Sequence, residues 1–167
     1  MQRIFRNSAA LLAVCTFLTS ACASQLVVVS LDVRQVGDKP ALCFASDDEY
    51  MQDAVKLADI GVVRATGIAT PVETYWEVEI PESAPPVILH HGDCIVYGQA
   101  IDGAKVVTPP KPLDSGMLYT FGISTRDNKG GPIYAGGFCA WRKPGNGLRI
   151  ERQRKKQYSC SSDTTRP

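Results

Sequence analysis

Alternation of apolar and polar residues is the dominant pattern along this chain. Residues 25–36 alternate in this way, and one face of the segment consists of Val27, Val29, Leu31 and Val33. Residues 118–125 repeat the pattern, with one face made of Tyr119, Phe121 and Ile123. Alternation with a period of two residues predicts a β-strand that buries one of its faces.

Three other segments extend the prediction of strands. Residues 41–45 are apolar on both faces and follow a GDKP turn, which indicates a central strand. Residues 75–80 place Trp76, Val78 and Ile80 inward and turn Tyr75, Glu77 and Glu79 toward solvent. A further strand begins at Cys94.

Two glycine-containing turns predict that the later strands form hairpins. The DNKGG turn at 127–131 joins two alternating segments, and the KPGNG turn at 143–147 leads into a last strand containing Leu148 and Ile150. Seven or eight short strands separated by turn residues predict an all-β domain, namely a single immunoglobulin-like antiparallel β-sandwich.

One segment departs from the strand pattern. Ser46 is followed by three acidic residues, and this arrangement resembles the capping box that begins a helix. We therefore expect a short helical segment that runs to about Asp53, with extended structure resuming near Val62.

The first 23 residues have the composition of an export signal. Arg3 and Arg6 precede an apolar run of ten residues from Ala9 to Leu18. A membrane-spanning helix needs about 20 apolar residues, so this run is too short to span and instead predicts a signal peptide.

The end of the signal decides whether the mature protein is tethered, and two endings remain open. Small residues precede Cys22, as in bacterial lipoproteins whose cysteine carries a lipid, whereas Ala21-Cys22-Ala23 also fits an ordinary cleavage site. Either ending predicts a periplasmic protein, and lipidation predicts an anchor in the outer membrane. We divide the chain into a signal peptide (1–23), a sandwich domain (24–160) and a disordered tail (161–167).

The charge balance excludes some classes of partner. Removal of the signal leaves 16 basic and 17 acidic residues, which is close to neutral. A nucleic-acid-binding domain is typically strongly basic, so we expect no nucleic-acid partner.

Four cysteines remain beyond the signal and its end, and in an exported chain they predict two disulfides. Four cysteines allow three pairings. The predicted strands favour Cys43 with Cys94 as a bridge between sheets. They also favour Cys139 with Cys160, because that bridge pins the C-terminal segment to the strand before the last one.

The sequence offers little for catalysis or metal binding. The only histidines are His90 and His91, adjacent in the turn LHHGDC, and no two cysteines have the C-x2-C spacing of a zinc site. A nucleophile motif of the G-x-S-x-G type is absent from the sequence. We therefore expect neither enzymatic activity nor a metal or other cofactor.

An acidic cluster beside two large side chains is the first candidate for a protein contact. Negative charge at a helix start is commonly structural, but acidic groups around an aromatic side chain also suit recognition of a basic cleft. The proposed contact residues are Asp47, Asp48, Glu49, Tyr50, Met51 and Asp53. The turn containing His90 and His91 is the second candidate.

A set of short motifs in a fixed order adds a resemblance to a known family. After the signal come GDKPALCF (37–44), YWEV (75–78), DCIVYG (93–98), LYTFGI (118–123) and YAGGFC (134–139). This order resembles the type VI secretion immunity periplasmic lipoproteins. The resemblance implies a protein that neutralises an antibacterial toxin, encoded by a neighbouring gene, in the periplasm. The toxin class stays open between a lipase or phospholipase and a cell-wall hydrolase.

A second function is compatible with the same features. A structural or ligand-binding envelope lipoprotein without a toxin partner would also be exported, rich in strands and cross-linked by disulfides. Gene order separates the two hypotheses, because an immunity protein should be encoded beside a toxin.

Overall fold

The computed structural model describes residues 28–44, 54–65, 72–126, 133–145, 147–154 and 157–161. Within these ranges every regular element is a β-strand. The strands are β1 (Val28–Ser30), β2 (Asp32–Val36), β3 (Lys39–Cys43), β4 (Ala54–Ala65), β5 (Val72–Glu79), β6 (Ile88–His90), β7 (Cys94–Val96), β8 (Lys105–Thr108), β9 (Met117–Thr125), β10 (Ile133–Arg142) and β11 (Leu148–Arg152).

The strands form two sheets. The larger sheet has the order β1-β10-β9-β4-β5-β8, with β11 also paired to β10 and β6 also paired to β4. The smaller sheet has the order β2-β3-β7. The structure therefore confirms an all-β protein with two sheets and places β3, predicted to be central, in the middle of the smaller sheet.

The chain changes sheet at its first described strand. β1 pairs with β10 through Val28 and Ile133, and β2 pairs with β3 in the other sheet. Only Leu31 separates the two strands. The β1–β10 pairing is parallel, so the expectation of a purely antiparallel sandwich is wrong at this edge. A strand that continues from one sheet into the other can pair with its neighbour in a parallel or an antiparallel direction. The alternation of its residues does not specify which direction it takes.

The core lies where the two sheets face each other. Trp76 of β5 and Tyr97, which directly follows β7 of the smaller sheet, meet edge to face at 5.6 Å between ring centroids. Phe44 and Tyr134 lie 5.5 Å apart across the same interface. Each fully buried large apolar side chain contributes about 1.5–3 kcal/mol relative to exposure, so these rings supply much of the force that holds the sheets together.

The two sheets approach each other closely at Gly136. A Cβ atom there would lie 2.7 Å from both the Leu31 carbonyl oxygen and the Val33 Cγ2 atom. The neighbouring Leu31 amide donates to the Ala135 carbonyl at 2.8 Å, which holds this crossing in place. The absence of a side chain on Gly136 therefore permits this close approach.

Both expected disulfides are present. Cys43 and Cys94 are paired, with a Cα–Cα distance of 4.1 Å, and Cys139 and Cys160 are paired, with a Cα–Cα distance of 5.8 Å. The first bridge does not connect the two sheets as expected. Cys43 of β3 and Cys94 of β7 are registered neighbours within the smaller sheet, because the two strands lie side by side.

Two other expectations need correction. The chain is already extended at Ala54, in a strand that continues to Ala65, so extended structure resumes well before Val62. Tyr75 is buried, although the alternation of its strand turned it toward solvent. Tyr119 packs edge to face on it at 4.9 Å, and the Lys111 ammonium lies 5.5 Å from its ring centroid.

Three predicted segments lie outside the described residues: the signal peptide (1–23), the short helical segment from Ser46 to about Asp53, and the tail beyond residue 161.

Candidate binding surface

The loop between β6 and β7 presents the two histidines. The Asp93 amide donates to the His90 carbonyl at 3.0 Å, and the His90 amide donates to the Asp93 carboxylate at 2.8 Å. Gly92 has a φ of +89°, a left-handed conformation that favours glycine. His90 is exposed, and its Nδ1 atom lies 3.6 Å from the same carboxylate. The loop is therefore a closed turn with a polar outer surface.

The smaller sheet braces this loop. The Gly92 amide donates to the Phe44 carbonyl, and the Phe44 amide donates to the Asp93 carbonyl, each at 2.9 Å. The next residue, Cys94, is covalently joined to Cys43. Two backbone hydrogen bonds and a disulfide thus hold the loop in one position relative to β3.

The two residues that flank the acidic candidate region both pair with the histidine loop. The acidic candidates lie in residues 45–53, outside the described residues, but both flanking residues are described. Phe44 is hydrogen-bonded to the loop at Gly92 and Asp93, and Ala54 is the register partner of His90 in the β4–β6 pair. Phe44 and Ala54, on either side of the acidic segment in the sequence, are therefore both attached to the histidine loop through the backbone. We call this combined region, residues 45–53 and His90–Asp93, the loop surface.

A groove of about 420 Å³ adjoins the loop surface. Leu89 and Cys94, which flank the loop, line one part of it, and Pro86 and Ile101 line another. Gln99 and Asp102 add polar groups. A partner that contacts the histidine loop can thus also insert an apolar side chain beside it.

The structure describes only His90 and His91 among the predicted contact residues. Asp47, Asp48, Glu49, Tyr50, Met51 and Asp53 lie outside the described residues, as does the proposed lipidation site Cys22. His91, unlike the exposed His90, is partly buried.

A polar cluster that the sequence did not predict lies on the larger sheet. The Arg64 guanidinium contacts Glu73 at 2.5 Å and Asp114 at 3.1 Å. The Tyr75 hydroxyl donates to the Asp114 carboxylate at 2.5 Å. The Asp114 amide in turn donates to the Tyr119 hydroxyl at 2.8 Å. The cluster therefore fastens the segment before β9 to β4 and β5.

Burial controls the ionisation of the tyrosines around this cluster. Burial, followed by the hydrogen bond to Asp114, raises the pKa of Tyr75 well above its ordinary value. Burial likewise raises the pKa of Tyr97 and of Tyr119. For Arg64, burial works to lower the pKa, but the neighbouring negative groups outweigh it and the pKa is raised. At neutral pH the three tyrosines are therefore uncharged and Arg64 is positively charged, as expected of a structural cluster.

One feature of the sequence, the adjacent aromatic residues Tyr75 and Trp76, is consistent with this cluster but does not specify it. Tyr75 directly precedes the inward-facing Trp76, and an aromatic residue on the outer face of a strand needs a cover. Part of that cover comes from Lys111 and Asp114, more than thirty positions along the chain.

Within the described part of the chain, no group of three or more histidine, cysteine or acidic side chains is arranged to hold a metal ion. Across the same ranges, no helix has the length and apolar character needed to cross a membrane. Comparisons with protein-family models, curated proteins and solved structures gave no match.

Proposed function

We propose that this protein is a periplasmic immunity protein that binds an antibacterial type VI secretion toxin and inhibits it by covering its active site. The proposal includes no enzymatic activity of its own and no cofactor. It also includes export by residues 1–23, ending either in a lipid anchor on Cys22 or in cleavage at Ala21-Cys22-Ala23. The motif order described above suggests this family, and the attachment of Phe44 and Ala54, the two flanks of the acidic segment, to the histidine loop is the observation that supports the contact site.

The two disulfides support a location outside the cytoplasm. Disulfides form and persist in oxidising compartments, of which the bacterial periplasm is one. Cys43–Cys94 closes a sequence separation of 51 residues and Cys139–Cys160 one of 21. Cross-links of this length stabilise a chain by restricting its unfolded state, which suits a protein that works without cytoplasmic chaperones.

The bracing of the histidine loop supports tight inhibition. A toxin inhibitor must bind at about nanomolar affinity, which corresponds to about −12 kcal/mol. Ordering a flexible loop on binding costs affinity, and a loop already fixed in its bound shape avoids that cost. The hydrogen bonds of Gly92 and Asp93 to Phe44, with the adjacent disulfide, provide this preorganisation. Acidic residues 47–53 would supply attraction to a basic cleft.

The central experiment measures binding to the product of the neighbouring toxin gene. We expect the wild-type protein to capture the toxin and abolish its activity at a one-to-one ratio. The double substitution Asp48→Lys/Glu49→Lys should weaken binding at least 100-fold, because two attractions become repulsions. The matched control is Glu79→Lys/Glu82→Lys, which makes the same change in charge at exposed residues that do not belong to the loop surface.

Two negative outcomes have different meanings. If Asp48→Lys/Glu49→Lys binds as tightly as the wild type, the assignment of the loop surface fails and the inhibitor function stands. If the wild-type protein neither binds nor inhibits any toxin encoded beside it, the immunity function itself fails.

The groove beside the loop surface favours the second candidate function, a ligand-binding envelope protein. Ligand pockets are mostly apolar with a few polar groups, and this groove combines Leu89 and Ile101 with Gln99. In this hypothesis a small envelope molecule binds at residues 85–102. Mass spectrometry of the protein isolated under native conditions tests it, because a retained molecule should disappear with Ile101→Arg.

The immunoglobulin-like description of the sandwich also belongs to the proposal. Two facing sheets around buried Trp76 support it. The division into eight and three strands differs from the four and three of the constant-type immunoglobulin domain.

A further inference from the structure

Charge is strongly segregated along the chain. Residues 142–156 contain seven basic residues and one acidic residue. The rest of the chain after the predicted signal contains nine basic and sixteen acidic residues. The nearly neutral total therefore conceals a basic C-terminal region on an acidic protein.

The fold places the described basic residues along one border of the larger sheet. β11 pairs with the end of β10, and the turn between these strands carries Lys143. We call this border the basic edge; it consists of Arg142, Lys143, Arg149, Arg152 and Arg154. All five side chains belong to exposed residues.

The basic edge is not arranged to accept another strand. The Gln35 side chain of β2 donates to the Leu148 carbonyl at 2.9 Å and accepts from the Ile150 amide at 3.1 Å. These two bonds occupy backbone groups of β11 that an added strand would need. What the edge offers a partner is therefore positive charge.

Only some of this charge is neutralised within the protein. Arg149 contacts Glu151 at 3.1 Å, and Arg152 contacts Asp32 at 3.2 Å. Among the described residues, Arg142, Lys143 and Arg154 form no ion pair. Lys155 and Lys156 follow directly in the sequence and add to the local excess.

An exposed aromatic residue accompanies these cations. Tyr158 is 89% exposed, the largest value among the exposed large apolar side chains. Its segment is held in place, because the Arg154 amide donates to the Gln157 side chain at 2.8 Å and Cys160 is bonded to Cys139 of β10. Tyrosines beside lysines and arginines are typical of surfaces that rest at a membrane interface.

The position of the N-terminal strand favours a membrane over an acidic protein as the occupant. β1 lies on the same side of β10 as β11 does. Val28 follows Cys22 by six residues, which span at most about 20 Å when fully extended. A lipid on Cys22 would therefore hold the bilayer close to this side of the protein.

We propose that the basic edge, together with Tyr158, docks on the anionic phospholipid surface of a membrane. The bilayer phosphates attract Arg142, Lys143 and Arg154, and the Tyr158 ring inserts at the headgroup level. The basic edge and the loop surface share no residue, so the proposed membrane contact and the proposed toxin contact use different side chains. Docking would also fix the orientation of the protein, which a lipid tether alone leaves free.

The test is vesicle co-sedimentation of the exported protein carrying Cys22→Ser, so that no acyl chain contributes. At 50 mM salt we expect binding to phosphatidylcholine vesicles that contain phosphatidylglycerol and little binding to phosphatidylcholine alone. Each cation near an anionic surface contributes about a fivefold factor in affinity, so Arg142→Glu/Lys143→Glu/Arg154→Glu should reduce binding by about 100-fold or more. The matched control, Lys39→Glu/Lys56→Glu/Lys105→Glu, changes the total charge equally and should bind severalfold more strongly than that variant.

Further measurements keep the proposal falsifiable. Tyr158→Ala should lower vesicle binding severalfold without changing the circular dichroism spectrum, and 500 mM salt should release the wild-type protein. Equal loss of binding in the two triple variants would overturn the assignment, because it would show a response to net charge only. The proposal would also be overturned if the wild-type protein failed to bind anionic vesicles and Arg142→Glu/Lys143→Glu/Arg154→Glu lost toxin binding. Those results would show that the basic edge contacts a protein.

Discussion

Substitution of Gly136 tests whether the close approach of the two sheets holds the fold together. Gly136→Ala adds one methyl group whose carbon would lie 2.7 Å from the Leu31 carbonyl oxygen and from Val33 Cγ2. Favourable contacts between heavy atoms lie at about 3.5–4.0 Å, so the sheets must separate by roughly 1 Å or the strand must shift. The Leu31 oxygen is a backbone atom and has no rotamer through which to move away.

The expected cost follows from these distances. Overpacking of this kind typically costs about 1–3 kcal/mol. Replacing glycine by alanine in a compatible conformation returns about 0.4–1 kcal/mol by restricting the unfolded chain. We therefore expect Gly136→Ala to lower the free energy of unfolding by about 1–2 kcal/mol. For a domain of this size, each kcal/mol lowers the melting temperature by about 3–4 °C.

Two other strand glycines provide matched controls. At Gly122 the nearest atom to an added Cβ lies at 3.6 Å, and at Gly61 it lies at 3.9 Å, both ordinary contact distances. Gly122→Ala and Gly61→Ala should be neutral or slightly stabilising. The measurement is urea denaturation of the oxidised proteins, with the slope against urea checked for constancy. Gly136→Ala with wild-type stability, or an equal loss at Gly122, would refute the close-packing argument.

Three further predictions concern stability. Above about pH 10 the tyrosines of the unfolded chain ionise, whereas burial keeps the pKa values of Tyr75, Tyr97 and Tyr119 raised in the folded protein. The stabilisation that is present below pH 10 should therefore be lost as the pH rises. Urea titrations should show a loss of about 1.4 kcal/mol in the free energy of unfolding per pH unit for each buried tyrosine, and Tyr97→Phe should reduce this slope. Asp114→Ala should cost about 1–3 kcal/mol because the buried Tyr75 hydroxyl loses its acceptor, whereas Asp114→Asn should cost less; a denaturation series that ranks them equally would contradict this. Cys139→Ser/Cys160→Ser should cost about 3 kcal/mol by chain entropy, and calorimetry showing no change would contradict the bridge's role.

Local patterns were sufficient where one face of a strand simply meets the core. Val29, Leu31 and Val33 are buried as their alternation predicted, and so are the three apolar residues of β9. Residues 41–44 are buried on both faces, as a run without polar residues requires. The two favoured cysteine pairs are both present, although the sequence allowed three pairings and Cys43–Cys94 was expected between the sheets instead of within one.

What the sequence by itself determined was therefore the strand content and the inward residues of most strands, since each depends on side-chain type at a period of two. For the cysteines it favoured the two pairs that the structure shows among three possible pairings. The tertiary structure alone decided that Tyr75 is partly covered by Lys111 and Asp114 and that Cys43–Cys94 lies within one sheet. It also decided that both flanks of the acidic segment meet at the histidine loop. These features join residues tens of positions apart, and their geometry is set by how the two sheets pack, which no local repeat encodes.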